Sequence, residues 1–188
     1  MPTVAVFASS SLDVDEHYRA LADQLGTRIG ARNWTLLYGG TLTGMMRSVA
    51  DSCRAVGGRV VAVTLQQFSD LGIADDDAHE LIVTAGLAER KHEMLARADA
   101  FVVLPGGFGT LDEAIEVLAW RRIGLLDKPL VFLDHGGFWA PLLGQVEVMA
   151  REGMLGRGDA PAPAHLGYDV AEDPAAVEAR LVHHFAGE

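Results

Sequence analysis

Short, unbroken apolar runs that alternate with helix-length stretches constrain this chain more than any other feature of it. The runs fall at residues 4–7, 34–38, 59–65, 80–84, 101–104 and 128–133. Segments such as VVAV and FVVL are apolar at every position rather than at alternate ones, which is the pattern of strands covered on both faces. Between the runs, apolar residues recur at helical spacing, as at Tyr18, Leu21, Leu25 and Ile29. Helices are expected over about 13–32, 45–56, 86–98, 110–123, 138–152 and 174–185. Leu87, Met94, Leu95 and Ala98 should face inward from the 86–98 helix. Residues 66–79 read as a loop or short irregular helix, and a last strand is expected near 165–170. Strands joined through helices need crossover connections and form a parallel sheet. The expected fold class is therefore α/β, a doubly wound parallel sheet with helices on both faces. A length of 188 residues suits one domain. Ligands of such sheets bind beyond the carboxyl ends of the strands, which selects the loops at 9–11, 39–44, 84–90 and 105–110.

Composition narrows the partner. Acidic residues number 26 against 15 basic ones, a formal net charge of −11. That balance opposes nucleic-acid backbones and anionic membranes but leaves room for one small phosphate in a local positive pocket. The expected partner is a small molecule, with no nucleic acid and no membrane. The single cysteine, Cys53, points to a reducing compartment and reads as an inert buried thiol. The opening MPTVAVFASS has no basic region before its apolar run, so no signal peptide and a cytoplasmic location are expected. Asp75, Asp76 and Asp77 read as a solvated acidic loop rather than a metal site, and His183-His184 as surface. Arg157-Gly158-Asp159 spells an adhesion tripeptide that reads as chance.

The stretch VVLPGGFGTLDEAIEVLAW, 102–120, carries the chemistry. Gly106, Gly107 and Gly109 lack a Cβ, so a ligand can approach the backbone. The unpaired N–H groups of the helix start behind them carry positive partial charge. A glycine turn feeding a helix N-terminus is a phosphate cradle. It is neither a dinucleotide fingerprint, since Asp112 stands at the third glycine position, nor a Walker A loop, since no Gly-Lys-Ser/Thr follows. Thr110 to Glu113 also matches a capping box, in which Glu113 only folds back on Thr110. Glu113 and Glu116 share one side of the expected helix and would flank the mouth of the cradle, with Leu111, Ala114, Ile115 and Leu118 on the other side.

PGGFGTLDE, together with ERKHEM upstream, resembles the Lonely Guy family of cytokinin-activating nucleotide hydrolases, whose members carry a PGGxGTxxE motif and an Arg-Lys helix. The similarity runs over about residues 3–155 and includes VFASS, YGGTLTGMM, GGRVVAV and KPLVFLD. The resemblance implies a Rossmann-like homodimer with sites drawn from both subunits. It implies hydrolysis of the N-glycosidic bond of a purine nucleoside 5′-monophosphate, N6-modified adenine included, to free base and ribose 5-phosphate. No cofactor and no metal are implied. Glu113 would stabilise the oxocarbenium-like ribose or activate water, and Arg90 would orient Glu113 or contact the nucleotide. Gly107 to Thr110, with Gly106 and Gly109, would hold the phosphate, and Glu116 the ribose hydroxyls, with Lys91 beside them. Ser9, Gly40, Gly44, Met45 and Glu80 complete the expected substrate-binding set. The chain departs from the family pattern at Thr41, Arg47, Val63-Thr64, Leu87-Ala88 and Ala119. Two other readings stand beside this one: a nucleotide hydrolase of a biosynthetic pathway acting on a different base, and a nucleotide-binding carrier or sensor without turnover. Apolar residues on more than one face of the 110–123 helix, including Val117 and Trp120, and of the 87–98 stretch, fit helices that either lie deep in the core or meet a partner subunit.

Overall fold

The apolar runs assemble into one seven-stranded parallel sheet in the computed structural model, which describes residues 1–155 and 167–187. The strands are β1 (Thr3–Phe7), β2 (Thr35–Tyr38), β3 (Val60–Leu65), β4 (Glu80–Thr84), β5 (Ala100–Val103), β6 (Leu130–Leu133) and β7 (Asp169–Ala171). Their order across the sheet is β4-β3-β2-β1-β5-β6-β7. β1 is central, with Val4 opposite Leu36 on one side and Ala100 on the other. The chain thus winds outward to β4, returns to the middle at β5 and winds outward again. The switch point lies between β1 and β5, where the two halves diverge and leave a crevice.

The helices are α1 (Glu16–Ala31), α2 (Gly44–Ala55), α3 (Gln66–Asp70), α4 (Leu87–Arg97), α5 (Phe108–Arg122), α6 (Ala140–Arg151) and α7 (Pro174–Ala186). One face of the sheet is covered by α1, α2 and α7, which bury Leu25, Ile29, Val49 and Leu181 against Val4, Val6 and Leu36. The other face is covered by α4, α5 and α6, through Met94, Val117 and Val146 against Ala5, Phe101 and Phe132. Local chemistry sets the ends. The Asp15 carboxylate accepts from the His17 N–H at the start of α1. Asp173 does the same for Ala176 at α7, with Pro174 in its first turn. Gly26 lets α1 press against α2, since a Cβ there would lie 2.2 Å from the Val49 carbonyl oxygen. Cys53 is fully buried and burial pushes its thiol up to about 11, which keeps it unreactive.

Three differences from the periodicity follow from tertiary contacts. α5 starts at Phe108 with Gly107 as its cap residue, earlier than 110, so Thr110 is helical and caps nothing. α6 starts at Ala140 rather than 138, because a 3-10 turn, His135–Gly137, ends at Phe138, and Asp134 accepts from the Trp139 N–H ahead of the helix. Leu87, expected inside, is 57% exposed. The segment 156–166, with Arg157-Gly158-Asp159, lies outside the described residues. Among the described residues no helix is long and apolar enough to cross a membrane.

Candidate active site

A cavity of about 510 Å³ opens at the switch point. Its floor is the loop after β1, residues Ala8 to Ser11, and the start of α5, residues Gly107 to Thr110. The first backbone bond of α5 runs from the Leu111 N–H to the Gly107 carbonyl at 3.0 Å. The N–H groups of Phe108, Gly109 and Thr110 precede it and stay open to an anion. Gly106 lies just behind this cradle, where a Cβ would meet the Thr110 Oγ1 at 2.1 Å. It lines a neighbouring hollow with Ser9, Pro105 and Met45 rather than the main cavity.

One turn into α5, Glu113 points into the cavity at 6% exposure. Its Oε1 accepts from Arg90 Nη1 at 2.9 Å. Arg90 is equally buried, and its Nε donates to the Val63 carbonyl of β3 at 2.9 Å. Gly39 makes room for the guanidinium, since a Cβ there would sit 2.2 Å from Nη2. Burial raises the Glu113 carboxyl above its ordinary value, while the Arg90 charge and hydrogen bond pull it back down. Glu113 therefore does not fold back on Thr110. The result is a buried carboxylate oriented by a fixed cation beside a helix N-terminus.

The other expected residues divide. Ser9, Gly107, Gly109 and Thr110 line the cavity. Lys91 and Glu116 pair at 2.9 Å, with Asp112 at 3.0 Å from the same ammonium. Lys91 and Glu116 line a narrow crevice between α4 and α5 with Glu113, not the main cavity. The Glu116 and Asp112 carboxylates hold the Lys91 ammonium above its ordinary range. Gly44 is a docking residue: a Cβ would meet the Ser11 carbonyl oxygen at 2.5 Å. The N–H groups of Met45 and Met46 there donate to the Ser9 carbonyl, so the start of α2 is not open to a ligand. Met45 is 1% exposed in the core, and Met46, one residue on, lines the cavity instead. Gly40 is not part of the wall; its carbonyl accepts from the Asp75 N–H. Glu80 is at the wrong end of the sheet. It is the first residue of β4, opposite the carboxyl-end loops, and pairs with Arg59 at 2.9 Å and Arg97 at 3.0 Å.

The remaining wall is Thr41, Thr43, Met46, Phe68, Ile73 and Leu87, with Phe108 at the rim. Thr41, Thr43, Leu87 and Phe108 lie in the loops that the sheet topology selects, and Thr41 and Leu87 are also departures from the family pattern. Phe68 and Ile73 had no sequence signal, because they lie in a segment without clear periodicity. Thr41 Oγ1 lies 3.0 Å from the Met46 sulfur. Arg47 is exposed and bound to Asp51, away from the cavity. Asp75 corrects the expected solvated acidic loop, since it is 0% exposed while Asp76 and Asp77 are exposed. Among the described residues no group of three or more His, Cys, Asp or Glu side chains is placed to hold a metal ion.

Comparison with known proteins places the chain in a family. A family model described as "Possible lysine decarboxylase" matches residues 46–174. A Mycobacterium tuberculosis protein named cytokinin riboside 5′-monophosphate phosphoribohydrolase is 43% identical over 135 residues, 72% of this chain and 72% of that protein. A Mycobacterium marinum protein of the same name is 39% identical over 155 residues, 82% of each chain. The solved structure of the molybdenum cofactor carrier protein of Chlamydomonas reinhardtii superposes with a TM-score of 0.72 at 23% identity, over 98% of both chains, and shares the fold. With the family model over most of its length and these relatives across their own, the chain belongs to the Lonely Guy family, the group that the lysine decarboxylase description also covers.

Proposed function

We propose that this protein hydrolyses the N-glycosidic bond of a purine nucleoside 5′-monophosphate, releasing the free base and ribose 5-phosphate. The observation that carries this reading is the buried Arg90–Glu113 pair one helical turn from the open N–H groups of α5. The cradle is suited to the 5′-phosphate, which would fix the ribose relative to Glu113. Cleavage of C1′–N9 builds positive character on the ribose, which a carboxylate stabilises. Water adds at C1′, Glu113 can accept its proton, and the departing base takes up a proton as the bond to it breaks. Arg90, held by the Val63 carbonyl, aims the carboxylate and opposes the upward push of burial on its proton affinity. The relatives bearing the phosphoribohydrolase name support the same chemistry.

The decarboxylase description finds no support in the side chains. A pyridoxal site needs a lysine in the pocket. The chain has two, Lys91 tied to Asp112 and Glu116, and Lys128 donating to the Leu95 and Ala96 carbonyls. Neither lines the cavity. A purine other than that of the mycobacterial relatives' named substrate is the second reading, favoured by Thr41 and Leu87 in the cavity wall. The homodimer and the cytoplasmic location belong to this proposal too.

The test is release of free base from AMP and from adenosine, followed by chromatography, then a panel of purine, pyrimidine and N6-substituted 5′-monophosphates. AMP should react far faster than adenosine, because the nucleoside leaves the cradle empty. Equal kcat/KM for the two would remove the phosphate role. Binding of AMP with no release of base from any member of the panel would favour the carrier or sensor reading.

A further inference from the structure

Asp75 is a buried carboxylate that the chemistry above does not use. Its Oδ2 accepts from the Tyr38 hydroxyl at 2.6 Å and from Arg54 Nη1 at 2.6 Å. Arg54 also holds Asp51 at 2.9 Å. Asp75 and Tyr38 are fully buried, and burial together with the Asp75 hydrogen bond raises the Tyr38 phenol well above its ordinary value, so it stays a donor. Burying an ion pair rarely adds net stability against an apolar alternative, so such a network is better read through the arrangement that it fixes.

What it fixes is one wall of the cavity. The Asp75 N–H donates to the Gly40 carbonyl at 2.9 Å, and the Leu42 N–H donates to the Ile73 carbonyl at 3.1 Å. Thr41 and Ala74 form an antiparallel bridge between them. The Ile73 N–H donates to the Phe68 carbonyl at 3.1 Å, so α3 is carried along. This ladder bears Thr41, Phe68 and Ile73 into the cavity, while Tyr38 at the end of β2 and Arg54 on α2 grip it through Asp75. Glu113, Arg90, the β1 loop and the α5 cradle take the sugar-phosphate side, which leaves this wall for the base.

Resting on the proposed nucleotide hydrolysis, we infer that Asp75, clamped by Tyr38 and Arg54, is a positioning residue for base recognition. It sets the wall formed by Thr41, Phe68 and Ile73 without touching the reacting atoms.

The experiment compares wild type, Phe68→Ala, Asp75→Asn and Tyr38→Phe on the best nucleotide of the panel, with ribose 5-phosphate binding measured by calorimetry. Phe68→Ala and Asp75→Asn should raise KM roughly tenfold and change kcat by less than about threefold, because the lost contacts serve binding of the base. Tyr38→Phe, which leaves Arg54 on the carboxylate, should show a smaller KM rise. Ribose 5-phosphate should bind all four proteins alike. Unchanged KM in Phe68→Ala and Asp75→Asn, a kcat collapse in Asp75→Asn, or a parallel loss of ribose 5-phosphate affinity would overturn the inference while wild-type turnover leaves the hydrolase intact. Should Asp75→Asn fail to fold, Phe68→Ala and Tyr38→Phe decide it. A wild type inactive on the whole panel overturns the hydrolase reading, and this inference with it.

Discussion

At the scale of single residues, the decisive contact is the 2.9 Å bond between Arg90 and Glu113. It separates the two roles that Thr110-Leu111-Asp112-Glu113 left open. A capping glutamate would reach its own helix start, whereas this one is turned to a cation on another helix. Glu113→Gln should keep the fold by circular dichroism and lower kcat by ~10²–10⁴-fold, the usual worth of a placed acid or base. The pH profile carries the sign. Burial holds Glu113 above the ordinary glutamate value, and in the proposed mechanism the working form is the carboxylate. Activity should therefore fall as pH drops through that raised value, at a higher pH than an exposed glutamate would set, and the residual activity of Glu113→Gln should lack this limb. Stability runs the other way: the folded state holds this proton more tightly than the unfolded chain. The group thus becomes less favourable to folding as pH rises from the ordinary value through the raised one. An acid limb centred on the ordinary value in wild type would remove Glu113 as its origin.

At the scale of elements, the start of α5 and the seat of α7 make separate predictions. Gly106 and Gly109 look alike in the glycine turn, yet their surroundings differ. A methyl at Gly106 meets Thr110 Oγ1 at 2.1 Å and its Cβ at 2.6 Å, while one at Gly109 meets nothing within 4 Å. Gly106→Ala should cost about 1–3 kcal/mol in urea unfolding and disturb the cradle. Gly109→Ala should leave stability unchanged or raise it by up to ~1 kcal/mol through helix propensity, yet raise KM by projecting into the cavity. Equal stability of the two variants would mean that the Thr110 contact is not as described. α7 is tied to α1 by Glu178, which pairs with Arg28 and Arg32. Burial pushes its carboxyl up, but the two arginines outweigh that and hold it below the ordinary value. Both arginines are more than a third exposed, so Glu178→Ala should cost only about 1 kcal/mol at neutral pH, as a lower melting temperature. The gap should persist above the unfolded glutamate value, ~4.3, and close as pH falls through the lowered one.

At the scale of the whole molecule, the question is assembly. Val117, for which the pattern leaves core and partner both open, is fully buried in this chain's own core. The exposed apolar residues on or next to α4 and α5 are instead Leu87, Phe108, Ile115, Ile123 and Leu125, at 57%, 92%, 44%, 69% and 66%. Leu87 and Phe108 also line the cavity, so a second copy covering them would help to close it. Sedimentation should show a dimer at micromolar concentration, with more than ~2,000 Å² buried if it is obligate. Arg90 and Glu113 meet within one chain, so each site needs its own intact pair. Mixed Arg90→Ala and Glu113→Gln subunits should regain at most the activity of one intact site per hybrid only if the pair were shared across subunits; with the pair in one chain, the mixture should stay inactive. Recovery of activity would show that the working pair forms between subunits.

Periodicity determined much of this protein by itself. Unbroken runs such as FVVL can be satisfied only inside a covered sheet, and the glycine turn before a helix localised the cradle, because both are signals between near neighbours in the chain. Tertiary structure decided the rest. Helical spacing could not tell Met45 from Met46, and only the docking of α2 on the Ser9 carbonyl sent the first inward and the second into the cavity. A carboxylate run looked solvated until Tyr38 and Arg54, distant in sequence, closed over Asp75. Glu80 lies on a strand that periodicity locates, but its place at the amino end puts it with Arg59 and Arg97, far from the ligand loops. Each of these depends on which elements pack together, and that is set by contacts between residues far apart in the chain, on which local pattern is silent.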